Sequence, residues 1–463
     1  MPEKDLRRPA VVAVTLALVM DLLDTTVVNV AVPTMQVEFG TGPGIAQWVV
    51  TAYLLAIAVA MPMSSWISRR LGQGRAFYVA LGLFSASSAL TGLAWSLPAL
   101  IVFRAMQGLG GGILLPAGMA LLFAAFPAAE RGKASALIAV PASLAPVLGP
   151  LIGGWFVQDV SWRWVFALNV PVAVVAMLAG KPLLRLRTRD DRAAFDAVGF
   201  LAVSAGLVLL VFGLSGAENA DGSLPVPAVM AASLVLLTMF TVRQLRRHSP
   251  LINVRLLGRQ ELWSSNLVFL LTSLSYGGLL FILPMYLQGL RGMSPFSSGL
   301  VTSLHAVGIL LASPFSTRLT RRWGLTAPLV AGLGIITAGT AGLALTDVGG
   351  PLWVTAGLIL VAGAGFGATI IPLQTATVSG LDGPELSDGS TVVNMARLIG
   401  MALGVATAAA VLNALTGNVT PGAGFAGGFF LVSAAAALAI IPSLLFEEPG
   451  SASQGAAHAR QGA

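Results

Sequence analysis

The sequence predicts an all-α polytopic membrane protein of about fourteen transmembrane helices, and three observations predict it. Of 463 residues, 56% are hydrophobic and only 10% are charged, and the mean hydropathy is +0.86, far above a soluble domain's. Apolar runs of the ~20 residues needed to cross a bilayer recur at 10–32, 44–66, 76–96, 98–122, 134–157, 162–180, 195–215, 224–242, 262–287, 296–317, 325–346, 351–376, 391–414 and 423–446. Basic residues then sort by side, as they do when Lys and Arg collect in cytoplasmic loops. With the N-terminus inside, odd-to-even connections carry only Arg163 and Arg291. Even-to-odd connections carry Arg69, Arg70, Arg75, Arg131, Lys133, the Lys181 to Arg192 cluster, the Arg243 to Arg259 cluster, Arg318, Arg321 and Arg322. One span more or fewer would scramble that order. The net charge of +7 therefore reads as topology, and no nucleic-acid partner is expected. The chain lacks cysteine, which removes disulfides and thiolate sites.

Span one follows Lys4-Asp-Leu-Arg-Arg8, which has the look of a signal peptide, but it carries two aspartates and no small-residue cleavage site, so it is expected to be retained. Those aspartates are Asp21 and Asp24. At 100° per residue Asp24, Asp21, Thr25 and Asn29 share an arc of roughly 140° on an otherwise apolar helix. A carboxylate at bilayer depth is costly and reads as functional. Burial disfavours its charged form, so it can take and give up a proton near neutral pH. The bland reading is a buried ion pair that only holds helices together. Asp21 is either a second titrating group, coupled to Asp24 one turn away, or the attraction point for a lipophilic cation.

Span two closes on Pro62-Met-Ser-Ser-Trp-Ile-Ser-Arg-Arg-Leu-Gly72, and span ten closes on the similar Pro314-Phe-Ser-Thr-Arg-Leu-Thr-Arg-Arg-Trp-Gly324. This self-similarity predicts two related halves. In span four Arg104 stands roughly 9 Å from the outer end, and Asp24 roughly 12 Å below the outer end of span one at 1.5 Å per residue, so the two can pair. Gln107, Gly108 and Gly111 share the face of Arg104 and permit close backbone approach. In span five Gly149, Pro150, Gly153 and Gly154 soften the helix and suit either static close packing or repacking between states. Spans seven and eight, joined by Glu218-Asn-Ala-Asp-Gly-Ser223, are expected to be an extra pair, giving six, two and six. Expected units are 1–194, a six-helix bundle; 195–242, two linker helices; 243–446, a second six-helix bundle; and 447–463, a disordered tail. In span thirteen Asn394 and Arg397 form a polar face beside Gly400 and Gly404. His305 either shuttles protons or is a satisfied core histidine. Asn266, Tyr276, Tyr286, Gln288 and Gln374 are candidate cavity residues.

Several of these stretches carry a resemblance. Leu23-Asp-Thr-Thr-Val-Val-Asn-Val-Ala-Val-Pro33 resembles the first-helix signature of the fourteen-spanner drug:proton antiporters of the major facilitator superfamily. Gln47-Trp-Val-Val-Thr-Ala-Tyr53 and Arg104-Ala-Met-Gln-Gly-Leu-Gly-Gly-Gly112 resemble the family's second-helix and fourth-helix motifs. Ala145-Pro-Val-Leu-Gly-Pro-Leu-Ile-Gly-Gly154 resembles the antiporter motif, and Phe281-Ile-Leu-Pro-Met-Tyr-Leu-Gln288 and Arg397-Leu-Ile-Gly-Met-Ala-Leu-Gly404 resemble second-half signatures. The loop after span two departs from the superfamily pattern, because Arg69 stands where an acid is usual, and no gating role is carried over to it. Its Trp and paired basic residues are similar to those of EmrB-like multidrug exporters.

The resemblance implies a major facilitator fold, two pseudo-symmetric six-helix bundles around two extra central helices, working by alternating access in a cell (inner) membrane with both termini cytoplasmic. It implies proton-coupled efflux of amphipathic, lipophilic compounds, cationic or neutral. Proton coupling would fall to Asp24, Asp21 and Arg104. A cavity would be lined by Asp21, Asn29, Gln107, Asn394, Arg397, Tyr286 and Gln374, with Gly149, Pro150, Gly153 and Gly154 as the antiporter motif. The alternatives are a dedicated exporter of one antibiotic or lipid, a proton-coupled importer, or, remotely, a transport-inactive receptor or scaffold. Partners are a lipophilic small molecule, protons and the bilayer. A periplasmic adaptor has no support in the short loops. No enzyme, cofactor or metal is expected, since Gly-x-x-x-x-Gly-Lys-Ser/Thr, His-Glu-x-x-His and Gly-x-Ser-x-Gly are missing.

Overall fold

The computed structural model describes residues 4–127, 130–185, 195–215, 225–247, 250–378, 381, 384–416 and 421–446, and among them there is no strand. Inside a bilayer each backbone N–H and C=O must be satisfied within its own segment, which a helix achieves. The main helices are α1 (Lys4–Phe39), α2 (Trp48–Leu71), α3 (Gln73–Gly92), α4 (Leu97–Ala125), α5 (Arg131–Asp159), α6 in two pieces (Arg163–Ala167 and Asn169–Gly180) and α7 (Ala197–Leu214). They continue as α8 (Val226–Arg246), α9 (Gln260–Met285, running into a π turn, Tyr286–Leu290), α10 (Pro295–Trp323), α11 (Thr326–Ala344), α12 (Leu352–Val378), α13 (Pro384–Thr416) and α14 (Pro421–Leu438). Glu218 to Ser223, residues 186–192 of the basic cluster and the 447–463 tail lie outside the described residues.

Among the described residues 13 helical segments are long and apolar enough to cross a membrane. The remaining helix, α3, is less apolar because it carries Ser87, Ser88 and Thr91, all buried. Thr91 and Ser87 return their hydroxyls to backbone carbonyls of their own helix. Helix ends also run past the expected spans: 36 residues in α1 make about 54 Å at 1.5 Å per residue, against a ~30 Å hydrocarbon core. Starts are set locally. Ser96 and Ser294 accept from the backbone N–H of Ala99 (3.4 Å) and Ser297 (3.3 Å), each with a proline in the first turn.

The internal repeat extends well beyond its arginine motif. Gly72 and Gly324 end α2 and α10 with φ of +83° and +77°, and Gly40 and Gly292, the same interval apart along the chain, have φ of +62° and +66°. All four backbones are left-handed, where a side chain is disfavoured. A Cβ on Gly108 or Gly112 of α4 would strike the carbonyls of Tyr53 and Ile57 in α2; on Gly363 or Gly367 of α12 it would strike those of His305 and Ile309 in α10. On Gly110 it would stand 2.7 Å from the Phe84 nitrogen of α3, and on Gly365 2.8 Å from the Ile336 nitrogen of α11. Thus α2, α3 and α4 pack through the same glycine positions as α10, α11 and α12.

The paired arginines close α2 (Arg69, Arg70) and α10 (Arg321, Arg322) at one membrane face, called here the basic face. Toward the opposite face α5 is sealed to α1 and α10. Gly149 sits under Thr26, a Cβ on Gly153 would stand 2.9 Å from the Val27 carbonyl, and one on Gly154 would stand 2.6 Å from the Pro295 carbonyl. Two hydrogen bonds latch the same side: Gln288 donates to the Val30 carbonyl at 3.0 Å, and the Phe296 N–H donates to Gln158 at 3.3 Å. Helices α7 and α8 lie against each other, with the Ser233 hydroxyl donating to the Gly206 carbonyl at 2.8 Å, and α7 packs on α2 through Phe212 and Trp48, whose rings are 6.4 Å apart.

Candidate functional site

The two aspartates of α1 have different surroundings. Asp24 is 2% exposed, and its Oδ2 meets the Arg104 guanidinium at 2.5 Å with both side chains buried. Its Oδ1 accepts from Gln107 Nε2 at 2.9 Å and Asn169 Nδ2 at 3.1 Å. Arg104 donates in addition to the Val49 carbonyl (3.0 Å) and to Gln107 Oε1 (2.9 Å). Ser88 accepts from both amides and donates to the Phe166 carbonyl at 2.9 Å. Both carboxylate oxygens of Asp24 and its counter-charge are therefore committed. Such a pair resists losing either member, because the survivor would be a buried, uncompensated charge.

Asp21, one turn earlier, is held by a single hydrogen bond, from the Tyr53 hydroxyl at 2.8 Å. It keeps 8% of its surface open, and Gly111 lies against it, so that a Cβ there would stand 2.8 Å from Oδ1. Tyr53 links the two acids. Its hydroxyl serves Asp21, while its ring lies 4.0 Å from the Arg104 guanidinium carbon, a cation–π contact.

Beside Asp21, Leu22 begins the wall of a cavity of about 760 Å³ between α1, α5, α9, α10, α12 and α13. It lies toward the basic face from the glycine seal of α5. Phe269, Tyr276 and Phe366 line it, and Arg397 is its one charged lining residue. The Nε of Arg397 is buried with no hydrogen-bond partner. His305 stands behind this wall, its ring 5.5 Å from Tyr276 and 5.1 Å from Phe366, with Nε2 buried and unpaired.

Of the residues expected to line a cavity, Tyr276, Gln374 and Arg397 do so. The others are placed elsewhere, for reasons visible in their hydrogen bonds. Gln107 belongs to the Asp24 network. Asn29 and Asn394 turn back on their own helices, donating to Thr25 and Ser390 carbonyls at 2.9 Å each. Tyr286 packs on Phe425 and Phe429, with its hydroxyl accepting from Arg291 Nε at 3.0 Å. Asp21 reaches the cavity only through its neighbour Leu22. Gly149, Pro150, Gly153 and Gly154 form the seal described above. Sequence reasoning missed Asn169 and Ser88 altogether, and it quoted Tyr53 within a motif without a role. The repeat interval that maps Gly72 onto Gly324 also maps Tyr53 onto His305 and Asp24 onto Tyr276, a signal that would have drawn attention to this tyrosine.

Outside the membrane spans, Asp196 anchors the α7–α8 pair. It accepts from the Gly199 N–H (3.0 Å), from Arg243 Nε (2.9 Å) and from Gln244 Nε2 (3.0 Å), with Arg247 at 3.6 Å. Burial pushes its carboxyl up, but these donors and cations together hold it below the usual carboxylate range.

Residues 14–405 match the family model described as Major Facilitator Superfamily. The chain is 32% identical over 409 residues to the Multidrug resistance protein B homolog of Mycobacterium tuberculosis, covering 86% of this chain and 74% of that one. It is 30% identical over 417 residues to the Tetracenomycin C resistance and export protein of Streptomyces glaucescens, covering 89% and 77%. Among solved structures it is similar to a D-xylose-proton symporter (TM-score 0.69, 14% identity, 96% and 98% covered). It is also similar to a bacterial homolog of the human lysosomal transporter Spinster, inward-facing and unoccupied (TM-score 0.65, 16% identity, 96% and 98% covered). At those identities the structural likeness concerns the fold alone.

Proposed function

This chain belongs to the Major Facilitator Superfamily, among its multidrug exporters, and from that premise we propose that it expels lipophilic small molecules across the inner membrane in exchange for protons. The basic face is cytoplasmic in this reading, so the cavity opens inward and the α5 seal closes the outer side. The six-two-six division is its frame: α1 to α6 and α9 to α14 rock about the cavity, with α7 and α8 as a peripheral pair. Asp21 carries the proton. Asp24, locked to Arg104, Gln107 and Asn169, holds α1, α4 and α6 together.

The observation that carries the proposal is the contrast between the two acids. A carboxylate must be able to lose its charge inside the membrane to cycle protons, and Asp21 has one neutral hydrogen-bond donor and keeps part of its surface open, whereas Asp24 has a guanidinium at 2.5 Å. The sequence alone favoured Asp24. Everted membrane vesicles test the difference. Drug-stimulated proton release should vanish in Asp21→Asn while the protein still accumulates in the membrane; release at the wild-type level in that variant would remove Asp21 from the coupling.

A further inference from the structure

Opposite the basic face, a second cavity of about 420 Å³ lies between the ends of α1, α9, α13 and α14. Its place follows from the order of residues along two helices. On α1 the larger cavity takes Leu22, the hydrogen bond from Gln288 takes the Val30 carbonyl, and the second cavity begins at Pro33, about 4.5 Å further along the helix. On α9 the order is the same: Phe269 to Tyr276, then Gln288, then Gly289 and Leu290. The α1–α9 hydrogen bond thus separates two spaces stacked across the membrane.

The wall of the second cavity comes from Gln36 and Val37 of α1 on one side, and on the other from Met285 and Leu290 at the end of α9, Leu412 of α13 and Phe425 of α14. Among the described residues no charged side chain lines it. The charges nearest in sequence are committed elsewhere. Glu38, beside Val37, pairs with Arg163 at 2.8 Å and accepts from the Trp162 indole at 2.5 Å. Arg291, beside Leu290, donates to the Tyr286 hydroxyl and to the carbonyls of Asp347 and Gly350, at 3.0 to 3.1 Å. A charged guest would find no counter-charge in this wall, and burying it unpaired is costly. The polar side chains of the wall, Gln36 and Thr41, are neutral. The volume is within the range that holds a small molecule.

We propose that this cavity is a second binding site, taking a small, uncharged, largely apolar ring compound, and that its occupant holds the outer side shut. The second part rests on the efflux reading above, in which α1 parts from α9, α13 and α14 when the outer side opens. An occupant touching all four helices loses one wall in that opening, so it binds the closed form better and shifts the balance toward it. At about a hundred times its Kd, an occupant without affinity for the open form shifts that balance about a hundredfold. The site is then a brake on transport, separate from the cavity that holds cargo.

Benzophenone, uncharged and photoreactive toward C–H bonds, tests the site. Met285 is 6% exposed, so an adduct on it reports entry into the wall. The purified full chain is irradiated with benzophenone, with a benzophenone carboxylate and with a benzophenone bearing a trimethylammonium group, and the adducts are mapped by peptide mass spectrometry. Benzophenone should label Met285 and its neighbours in the wall at least about tenfold more than either ion, and excess diphenylmethane should suppress that labelling. Adducts confined to the larger cavity, or equal labelling by an ion, overturn the site. Labelling in detergent that vanishes in a phospholipid bilayer would mean that an acyl chain fills the space, and overturns the small-molecule assignment. In proteoliposomes, gradient-free exchange of a labelled lipophilic probe should fall in proportion to the fraction of protein carrying the Met285 adduct; undiminished exchange overturns the brake. A failure of the efflux reading would appear separately, as no gradient-driven accumulation by protein without adducts, with the adduct map still deciding the site.

Discussion

At the scale of single residues, two acids one turn apart on the same helix have been given different work by their neighbours. Asp24 and Arg104 should behave as one unit. Each single charge removal, Asp24→Asn or Arg104→Gln, should destabilise the purified protein by about 3 kcal/mol or more, since the partner is stranded, and the double variant should be less destabilised than the sum of the two. Thermal unfolding in detergent checks it; simple additivity would mean the pair is not coupled. Their pairing was legible in the sequence, because two charges matched in depth in one membrane have few other partners. Which acid is free was not legible. That depends on Asn169 and Ser88, polar residues of two other helices that no spacing along the chain brings beside Asp24, and on the direction in which the Tyr53 hydroxyl points.

Helix by helix, glycines decide how closely neighbours approach. Gly108→Ala and Gly363→Ala put a methyl group into the carbonyls of Tyr53 and His305, and backbone cannot yield as a flexible side chain does. Both should lower the unfolding temperature, while Gly334→Ala, with open space at its Cβ, should not; equal stability of all three would contradict this packing. The α7–α8 pair adds a pH dependence. Because the folded carboxyl of Asp196 lies below its ordinary range, its contribution is present above the unfolded value of about 3.9 and is lost as pH falls through the depressed folded value. Below about pH 4 the wild type should therefore lose stability that Asp196→Asn lacks already at pH 7, and parallel pH profiles would exclude the anchor. The arginine repeat announced two halves, and apolar runs announced all fourteen main helices, of which thirteen among the described residues are long and apolar enough to cross a membrane. The glycine correspondence between α4 and α12 was harder to read, because glycines are abundant throughout and only the carbonyls they touch show which are equivalent. The boundaries of α1 and α13 ran past their apolar cores, since helices continue into the headgroup region where hydropathy no longer marks them.

Over the whole molecule, α5 is sealed against α1 and α10 on the side opposite the basic face, and the cavity lies toward the basic face. The fold class was visible in composition, because a chain with 10% charged residues has no soluble alternative. The cavity's contents were not, since its wall is assembled from six helices that are distant in sequence. We propose that Asp21 couples the proton to the guest, and proteoliposomes test this by separating driven transport from simple exchange. With an imposed pH gradient, wild-type protein should accumulate a labelled lipophilic probe, and Asp21→Asn should not. Without a gradient, both should exchange labelled for unlabelled probe at comparable rates, because exchange needs the cavity and its rocking but no proton. Gradient-driven accumulation by Asp21→Asn at the wild-type level would contradict the account.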